Sequence, residues 1–226
     1  THIPNYGEFY ELRQFASASV LGGKNYELTL CGQRVPFGAK LLFACAGMPD
    51  YTFGVELCED LWVPCPPSTA LCAGGAAMIL NLSASDEVIG KAEYRRSLVS
   101  STSARLACGY VYCSASPTES TQDMVFSRHH LIAENGTILA ENEPFGDAAL
   151  TISEIDVQRL AHERHRVTTY GAVPDLQTVL FFQPLRDTAL TRHFAPSPFV
   201  PPYDEQLRAR AEAILRIQSQ GLKKRI

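Results

Sequence analysis

The chain has 226 residues, of which 46% are hydrophobic and 19% charged, and its net charge is −4. This length and composition predict one large hydrophobic core with a small appendage. The acidic balance argues against a nucleic-acid partner, and no apolar run is long enough to span a bilayer. The seven cysteines are odd in number and no secretory signal precedes them, which predicts reduced thiols in the cytoplasm.

Strand-like and helix-like segments mix along the chain, which predicts an α/β fold. Short β-branched and aromatic runs predict strands at 26–31, 41–46, 51–57, 77–82, 109–115, 125–133, 137–141, 149–155 and 179–182. The sequence Glu134-Asn135-Gly136 predicts a hairpin turn. Helices are expected at 68–75, 87–106 and 157–166, the last of them capped by Asp156.

The composition changes near the end of the sequence. Residues 196–202 include four prolines, which predicts a stiff, extended linker. Residues 203–224 are then expected to form a helix, with Leu207, Ala211 and Ile214 on one stripe. We therefore predict a domain over 1–194, followed by a linker and a helix over 195–226.

A cysteine at the end of a predicted strand is the first candidate for chemistry. Cys58 follows the strand at 51–57 and is followed at once by Glu59 and Asp60. A thiol at such an elbow can face a pocket and be activated by a base, although a single cysteine in an apolar run is more often part of the core. The regular spacing to Cys65 and Cys72 lacks the close pair of a structural zinc site, so no metal is predicted.

Several motifs accompany Cys58. They read Ile-Pro-Asn-Tyr-Gly-Glu-Phe-Tyr-Glu at 3–11, Gly-Val-Glu-Leu-Cys-Glu-Asp-Leu-Trp at 54–62, Asn-Leu-Ser-Ala-Ser at 81–85, Ile-Gly-Lys-Ala-Glu-Tyr-Arg-Arg at 89–96 and Gly-Tyr-Val-Tyr-Cys at 109–113. Together they resemble the nitrilase (carbon–nitrogen hydrolase) superfamily and, more narrowly, the glutaminase domain of glutamine-dependent NAD synthetases. The resemblance implies an α/β fold of the nitrilase type, a four-layer αββα sandwich present only in part, with a C-terminal linker helix.

The resemblance also implies roles for individual residues. Cys58 is expected to attack the side-chain amide of glutamine, forming a thioester and releasing ammonia, while the backbone N–H of Glu59 helps to hold the oxyanion. Glu8 aligns with a glutamate that orients the base and the substrate, or is an exposed loop carboxylate. The substrate-recognition positions are occupied by Tyr6, Glu59, Ser85 and Lys91, although Lys91 is about equally expected as a surface charge.

The resemblance places further machinery outside this sequence. A catalytic lysine immediately precedes a segment like 1–6 in the family, and a general-base glutamate lies well upstream; neither is present here. Residues 198–201 and 217–226 look like the junction into an ATP-dependent synthetase domain. We therefore expect a fragment that is inactive alone and holds no cofactor, with ATP and Mg bound by the synthetase domain.

Three functions stay open from the sequence. The leading one is the glutaminase half of an NAD synthetase, with glutamine as substrate, the synthetase domain of the same protein as partner and a homo-oligomeric state. The second is a free-standing nitrilase-type amidase acting on another small amide. The third is a non-catalytic interaction fragment, which the missing base and lysine would allow.

Overall fold

The computed structural model describes residues 1–119, 123–148, 150–171, 174–194, 196, 200 and 204–225. The chain forms two compact units, Thr1–Asp187 and Thr188–Ile226. The second unit contains helix α4, Asp204–Lys223, in agreement with the helix expected at 203–224. Most of the expected linker lies outside the described residues. None of the helices among the described residues is long and apolar enough to cross a membrane.

The first unit is built on a mixed sheet of seven strands. In the described residues these are β3 (Leu41–Cys45), β4 (Thr52–Leu57), β5 (Met78–Ser83), β6 (Gly109–Ser114), β7 (Leu131–Glu134), β8 (Thr137–Glu141) and β9 (Gln177–Phe181), in the order β8-β7-β6-β5-β4-β3-β9. Strands β4, β5 and β6 run parallel to each other at the centre. Residues that follow β4 and β5 therefore meet at one edge of the sheet.

One face of the sheet is covered by helices α1 (Pro67–Ala73) and α2 (Lys91–Arg105). Ile79 pairs with Gly54 on one side and with Tyr110 on the other, and both Ile79 and Tyr110 are fully buried in the core beneath the helices. A Cβ on Gly54 would lie 2.8 Å from the side chain of Leu71 in α1, so glycine lets this helix approach the strand.

The opposite face of the sheet carries apolar side chains that are partly exposed. Val55, Leu57 and Leu82 alternate with buried residues of β4 and β5, and they are 38%, 43% and 55% exposed. The two face-to-face sheets of the expected sandwich are not both formed by the described residues, which contain one large sheet and a separate two-stranded hairpin. The part of the sandwich that is present is thus one sheet with its helical layer.

The hairpin of β1 (Tyr26–Leu30) and β2 (Gln33–Phe37) was only half predicted, because β2 was missed. Its sequence contains Pro36, which argues against a central strand but is tolerated in a two-stranded ribbon. The connecting residues Cys31 and Gly32 have φ values of 49° and 77°, as a tight turn of the I′ type requires.

Two strand predictions were wrong. The strand expected at 125–133 begins only at Leu131, since Arg128 has a φ of 55° and breaks the extended backbone. No strand forms in the described part of 149–155; Leu150 and Ile152 are each 78% exposed there, and Ala149 lies outside the described residues.

The other elements match their predictions closely. Helix α3 spans Val157–Arg166 as predicted, with the Asp156 side chain accepting from the backbone N–H of Arg159 at 2.9 Å. The predicted turn joins β7 to β8, with φ values of 45° at Asn135 and 86° at Gly136. Helix α2 starts at Lys91, four residues later than predicted, because Gly90 has a left-handed backbone at the N-cap.

Candidate active site

Cys58 sits at the point where β4 ends and a short 3-10 helix, Cys58–Leu61, begins. Its φ is 39°, in the left-handed region, which costs a non-glycine residue about 1–3 kcal/mol. Such strain persists only where the surrounding contacts hold it in place. The backbone therefore turns sharply at the thiol, as the elbow predicted from the sequence requires.

Asp60 holds this elbow together. Its carboxylate is 1% exposed and accepts the backbone N–H of Leu57 at 2.9 Å and that of His2 at 2.7 Å. The ring Nδ1 of His2 lies 2.9 Å from the same carboxylate. Asp60 thereby ties the N-terminal segment to the end of β4, a role that sequence reasoning missed because it depends on a contact between residues 58 positions apart.

The structure brings all the predicted site residues together around one cavity of about 320 Å³. The predicted residues that line it are Tyr6, Glu8, Cys58, Glu59, Ser85 and Lys91. Trp62 and Asp86 line it as well and were not predicted. Residues from the N-terminal segment, the end of β4 and the loop after β5 thus converge on the thiol.

Tyr6 and Glu59 form a polar pair on one wall of this cavity. The Tyr6 hydroxyl is 2.8 and 2.9 Å from the two carboxylate oxygens of Glu59. Partial burial and the negative charge of Glu59 raise the pKa of Tyr6 to about 12. Tyr6 therefore stays a neutral hydrogen-bond donor beside Glu59.

Lys91, the first residue of α2, lines the same cavity. Its ammonium group forms an ion pair with Asp86, and the two side chains are 18% and 14% exposed. The ammonium also lies 5.3 Å from the centre of the Trp62 ring, where a cation–π contact is favourable. Lys91 is consequently a held, partly buried cation rather than a mobile surface charge.

Arg95, whose side chain is fully buried, holds the loop between β5 and α2 in place. Its guanidinium donates to Glu87 at 2.9 Å and lies at the same distance from Nδ1 of His129. The hydroxyl of Ser127 also donates to Glu87. Because Glu87 is anchored in this way, the neighbouring Ser85 and Asp86 are held at the cavity.

The environment of the Cys58 thiol has two opposing effects. Burial raises its pKa above the ordinary value, and the nearby Glu59 carboxylate acts in the same direction. The backbone N–H of Ala84, a contact with the Ser83 side chain and the charge of Lys91 lower it. Burial prevails, so the resting group is a thiol that needs a base to become a nucleophile.

Known proteins resemble this chain over its whole length. Glutamine-dependent NAD(+) synthetases of Mycobacterium tuberculosis and Mycobacterium bovis are 35% identical to it over 237 aligned residues, covering 100% of this chain and 34% of the relative. The chain is homologous to glutamine-dependent NAD(+) synthetases. It spans about a third of their length. The yeast (Saccharomyces cerevisiae) glutamine-dependent NAD(+) synthetase is 29% identical over 74% of the chain. No protein-family model matches the sequence.

Solved structures show that the fold is nitrilase-like. A glutamine-dependent NAD(+) synthetase of Cytophaga hutchinsonii superimposes with a TM-score of 0.55 and 28% identity, covering 67% of this chain and 23% of that one. A carbon–nitrogen hydrolase of Helicobacter pylori gives the same TM-score at 15% identity, covering 73% and 53%. The second similarity shows the fold alone, and the α/β class predicted from the sequence is confirmed.

Proposed function

We propose that this chain is the glutaminase part of a glutamine-dependent NAD synthetase, releasing ammonia for an ATP-dependent synthetase domain that converts deamido-NAD to NAD. The observation that carries the proposal is the elbow thiol of Cys58 in a cavity that also presents a carboxylate, Glu59, and a cation, Lys91. The proposed transfer of ammonia to NAD synthesis is supported by the homologues, which are named glutamine-dependent NAD(+) synthetases. The groups that line the cavity support glutamine as the amide.

The proposed reaction runs in two steps. A general base takes the proton of the Cys58 thiol, and the sulfur attacks the side-chain carbonyl carbon, forming an S–C bond. The C–N bond then breaks, the nitrogen takes the proton back from the base, and ammonia leaves. Water cleaves the resulting thioester, so that glutamate departs and the thiol is restored.

The 3-10 helix supplies electrostatic help at the carbonyl oxygen. The backbone N–H of Glu59 lies in its first turn, where N–H groups have no acceptor within the helix. One preorganised donor of this kind is worth about 3–4 kcal/mol of transition-state stabilisation. The strained backbone of Cys58 thus presents the sulfur and an oxyanion donor to the same substrate carbon.

The two charged walls of the cavity suit an amino acid. Lys91 can pair with the α-carboxylate, with Ser85 as a neighbouring hydroxyl, while Glu59 and the Tyr6 hydroxyl can bind the α-ammonium. The ion pair with Asp86 keeps the ammonium of Lys91 in place before substrate arrives. Glu8, which is exposed at the mouth of the cavity, is assigned to orienting the base and the substrate.

We assign the general base and the oxyanion lysine to residues outside this sequence, where the family resemblance places them. Glu59 is poorly suited to be the base, because the Tyr6 hydroxyl lies 2.8 and 2.9 Å from its two oxygens and its charge opposes ionisation of the thiol. ATP and Mg belong to the synthetase domain in this proposal. A homo-oligomeric state and a cytoplasmic location stay predictions.

The test compares two nitrogen sources in the full-length protein. Cys58→Ala should abolish NAD synthesis from glutamine and leave synthesis from ammonium largely intact, because only the first needs a nucleophile. Cys113→Ala is the matched control, since this thiol is exposed on β6 and lies outside the residues that line the cavity. Persistent use of glutamine by Cys58→Ala would remove Cys58 from the mechanism. Loss of both activities would contradict the separation of the two sites.

A further inference from the structure

Asp86 lines the cavity around Cys58 with one of its two carboxylate oxygens still available. It follows Ser85 in the loop between β5 and α2, and its side chain is 14% exposed. One carboxylate oxygen, Oδ1, pairs with the ammonium group of Lys91. The other oxygen, Oδ2, accepts no hydrogen bond from any residue that the structure describes. Asp86 therefore has an acceptor left for a ligand.

Negative charge predominates among the described side chains that line this cavity. They include the carboxylates of Glu8, Glu59 and Asp86, but only one ammonium group, that of Lys91. The ion pair with Asp86 already balances the charge of Lys91. Glu59 forms no ion pair with any described residue; its carboxylate binds the neutral hydroxyl of Tyr6. A ligand that brings a positive charge is thus favoured over one that brings only a negative charge.

The ion pair of Asp86 and Lys91 restricts which carboxylate can bind beside it. If Lys91 takes the α-carboxylate of glutamine, that carboxylate comes to lie near the carboxylate of Asp86, and like charges repel. An amino acid offsets this repulsion, because its α-ammonium group is attached to the same carbon as its carboxylate. The ammonium can contact Oδ2 of Asp86 while the carboxylate contacts Lys91, so that charges of opposite sign alternate. A carboxylate without a neighbouring ammonium keeps the repulsion.

The charge of Asp86 also acts on the residues assigned to the α-ammonium. Burial, the hydrogen bond to Glu59 and the charges of Glu59, Cys58 and Asp86 raise the pKa of Tyr6 to about 12. Asp86 therefore acts on the same hydroxyl that donates to Glu59. A bound ammonium group has several N–H donors, and each of them needs an acceptor when water is excluded. The oxygens of Glu59 and Asp86 together supply such acceptors.

We propose that Asp86 binds the α-ammonium group of glutamine through Oδ2, while its Oδ1 keeps Lys91 in place for the α-carboxylate. Asp86 is then a specificity-determining residue, which admits an α-amino acid and rejects an amide that carries the carboxylate alone. The proposal rests on the proposed function, with glutamine as substrate and Lys91 at its α-carboxylate. It gives Asp86 a direct contact with the substrate, beyond its ion pair with Lys91.

The experiment measures the binding of two ligands by isothermal titration calorimetry, in the full-length protein carrying Cys58→Ala so that neither ligand is consumed. The ligands are L-glutamine and glutaramate, which is glutamine without its α-ammonium group. Asp86→Asn should weaken the binding of glutamine by roughly tenfold or more, the scale of a hydrogen bond between charged groups. The binding of glutaramate should stay the same or tighten, because the repelling charge is gone. The preference for glutamine over glutaramate should therefore fall by at least the same factor.

Further variants separate this contact from the other role of Asp86. Lys91→Met should weaken both ligands, since both carry the carboxylate. Asp86→Ser also removes the charge, and it serves alone where Asp86→Asn does not fold. Asp175→Asn, at an exposed position, is the control and should change neither dissociation constant. A loss of affinity by an equal factor for both ligands in Asp86→Asn would mean that Asp86 acts only through Lys91, and would overturn the proposal.

The protein with Asp86 intact provides a test that needs no substitution at this position. Glutaramate should bind to it more weakly than glutamine, and equal affinities would overturn the proposal. If glutaramate binding is undetectable there, its appearance in Asp86→Asn is the expected result, and its continued absence would overturn the proposal. Failure of glutamine to bind would contradict the proposed glutaminase function and this inference with it. Binding of glutamine with an unchanged preference in Asp86→Asn would contradict the role of Asp86 alone.

Discussion

One carboxylate oxygen of Asp60 holds both the backbone N–H of His2, at 2.7 Å, and its ring nitrogen, at 2.9 Å. The other oxygen accepts the N–H of Leu57, the last residue before the thiol. The segment that carries Tyr6 is therefore fastened to the elbow itself. Residues far apart in the sequence are aligned at the cavity because one buried side chain binds both of their backbones.

Asp60→Asn tests this fastening. An amide has only one oxygen, so a backbone N–H that Asp60 now satisfies would face an NH₂ group and lose its acceptor. A buried donor without a partner costs about 1–3 kcal/mol, and we expect a loss of that size in the free energy of unfolding measured with urea. Asp175→Asn is the matched control, because this residue is exposed. Equal stabilities of the two variants would contradict the role of Asp60.

Tyr6→Phe tests the pair with Glu59. If the Tyr6 hydroxyl and Glu59 bind the α-ammonium of glutamine, removing the hydroxyl should raise KM about tenfold, the scale of a hydrogen bond to a charged group, with a small change in kcat. Steady-state kinetics of ammonia release in the full-length protein measure both constants. Tyr10→Phe provides the control, since Tyr10 is outside the cavity around Cys58. An unchanged KM would leave Tyr6 without a role in recognition.

Lys91→Met tests the cation that lines the same cavity. The substitution keeps much of the side-chain length, removes the charge and leaves Asp86 unpaired. Truncating one partner of a buried charge pair costs about 2–5 kcal/mol, so KM for glutamine should rise by at least 30-fold. Synthesis from ammonium should be unaffected, and Lys24→Met, at an exposed position, is the control.

Lys91→Met should also change the thiol. The charge of Lys91 lowers the pKa of Cys58, so its removal should raise that pKa and slow alkylation of Cys58 at neutral pH. Peptide-resolved alkylation measures this without any substrate. A KM increase with no change in the alkylation rate would show that Lys91 acts on the substrate alone.

The 226-residue chain alone should be alkylated at Cys58 but should not release ammonia from glutamine. A thiol with a raised pKa still ionises in part at neutral pH, which suffices for alkylation but not for acyl transfer without a base and an oxyanion lysine. Ammonia release from the purified, mass-verified chain is the measurement. Steady release would mean that the base and the lysine are misassigned.

The sequence predicts local structure here better than long-range contacts. Helix α3 and the turn at Asn135-Gly136 were predicted because a capping aspartate and a positive-φ dipeptide act locally. The strand expected at 125–133 was predicted to begin too early. Arg128 adopts a left-handed backbone, which cannot be predicted from an arginine. Local signals were therefore sufficient where neighbours in sequence decide the conformation.

The candidate site shows the same division. Cys58 and the other predicted site residues could be found from sequence motifs, and all of them line one cavity. Asp60 and Asp86 were missed as members of the site, since their roles depend on partners brought together by the fold.

The most direct test of the whole account is to trap the covalent intermediate. The full-length protein is mixed with glutamine, quenched in acid during turnover and digested, and the acyl adduct is located by mass spectrometry. The account predicts a γ-glutamyl thioester on the peptide that contains Cys58, and its absence in Cys58→Ala. An adduct on another cysteine, or steady ammonia release that depends on no thioester at Cys58, would contradict it.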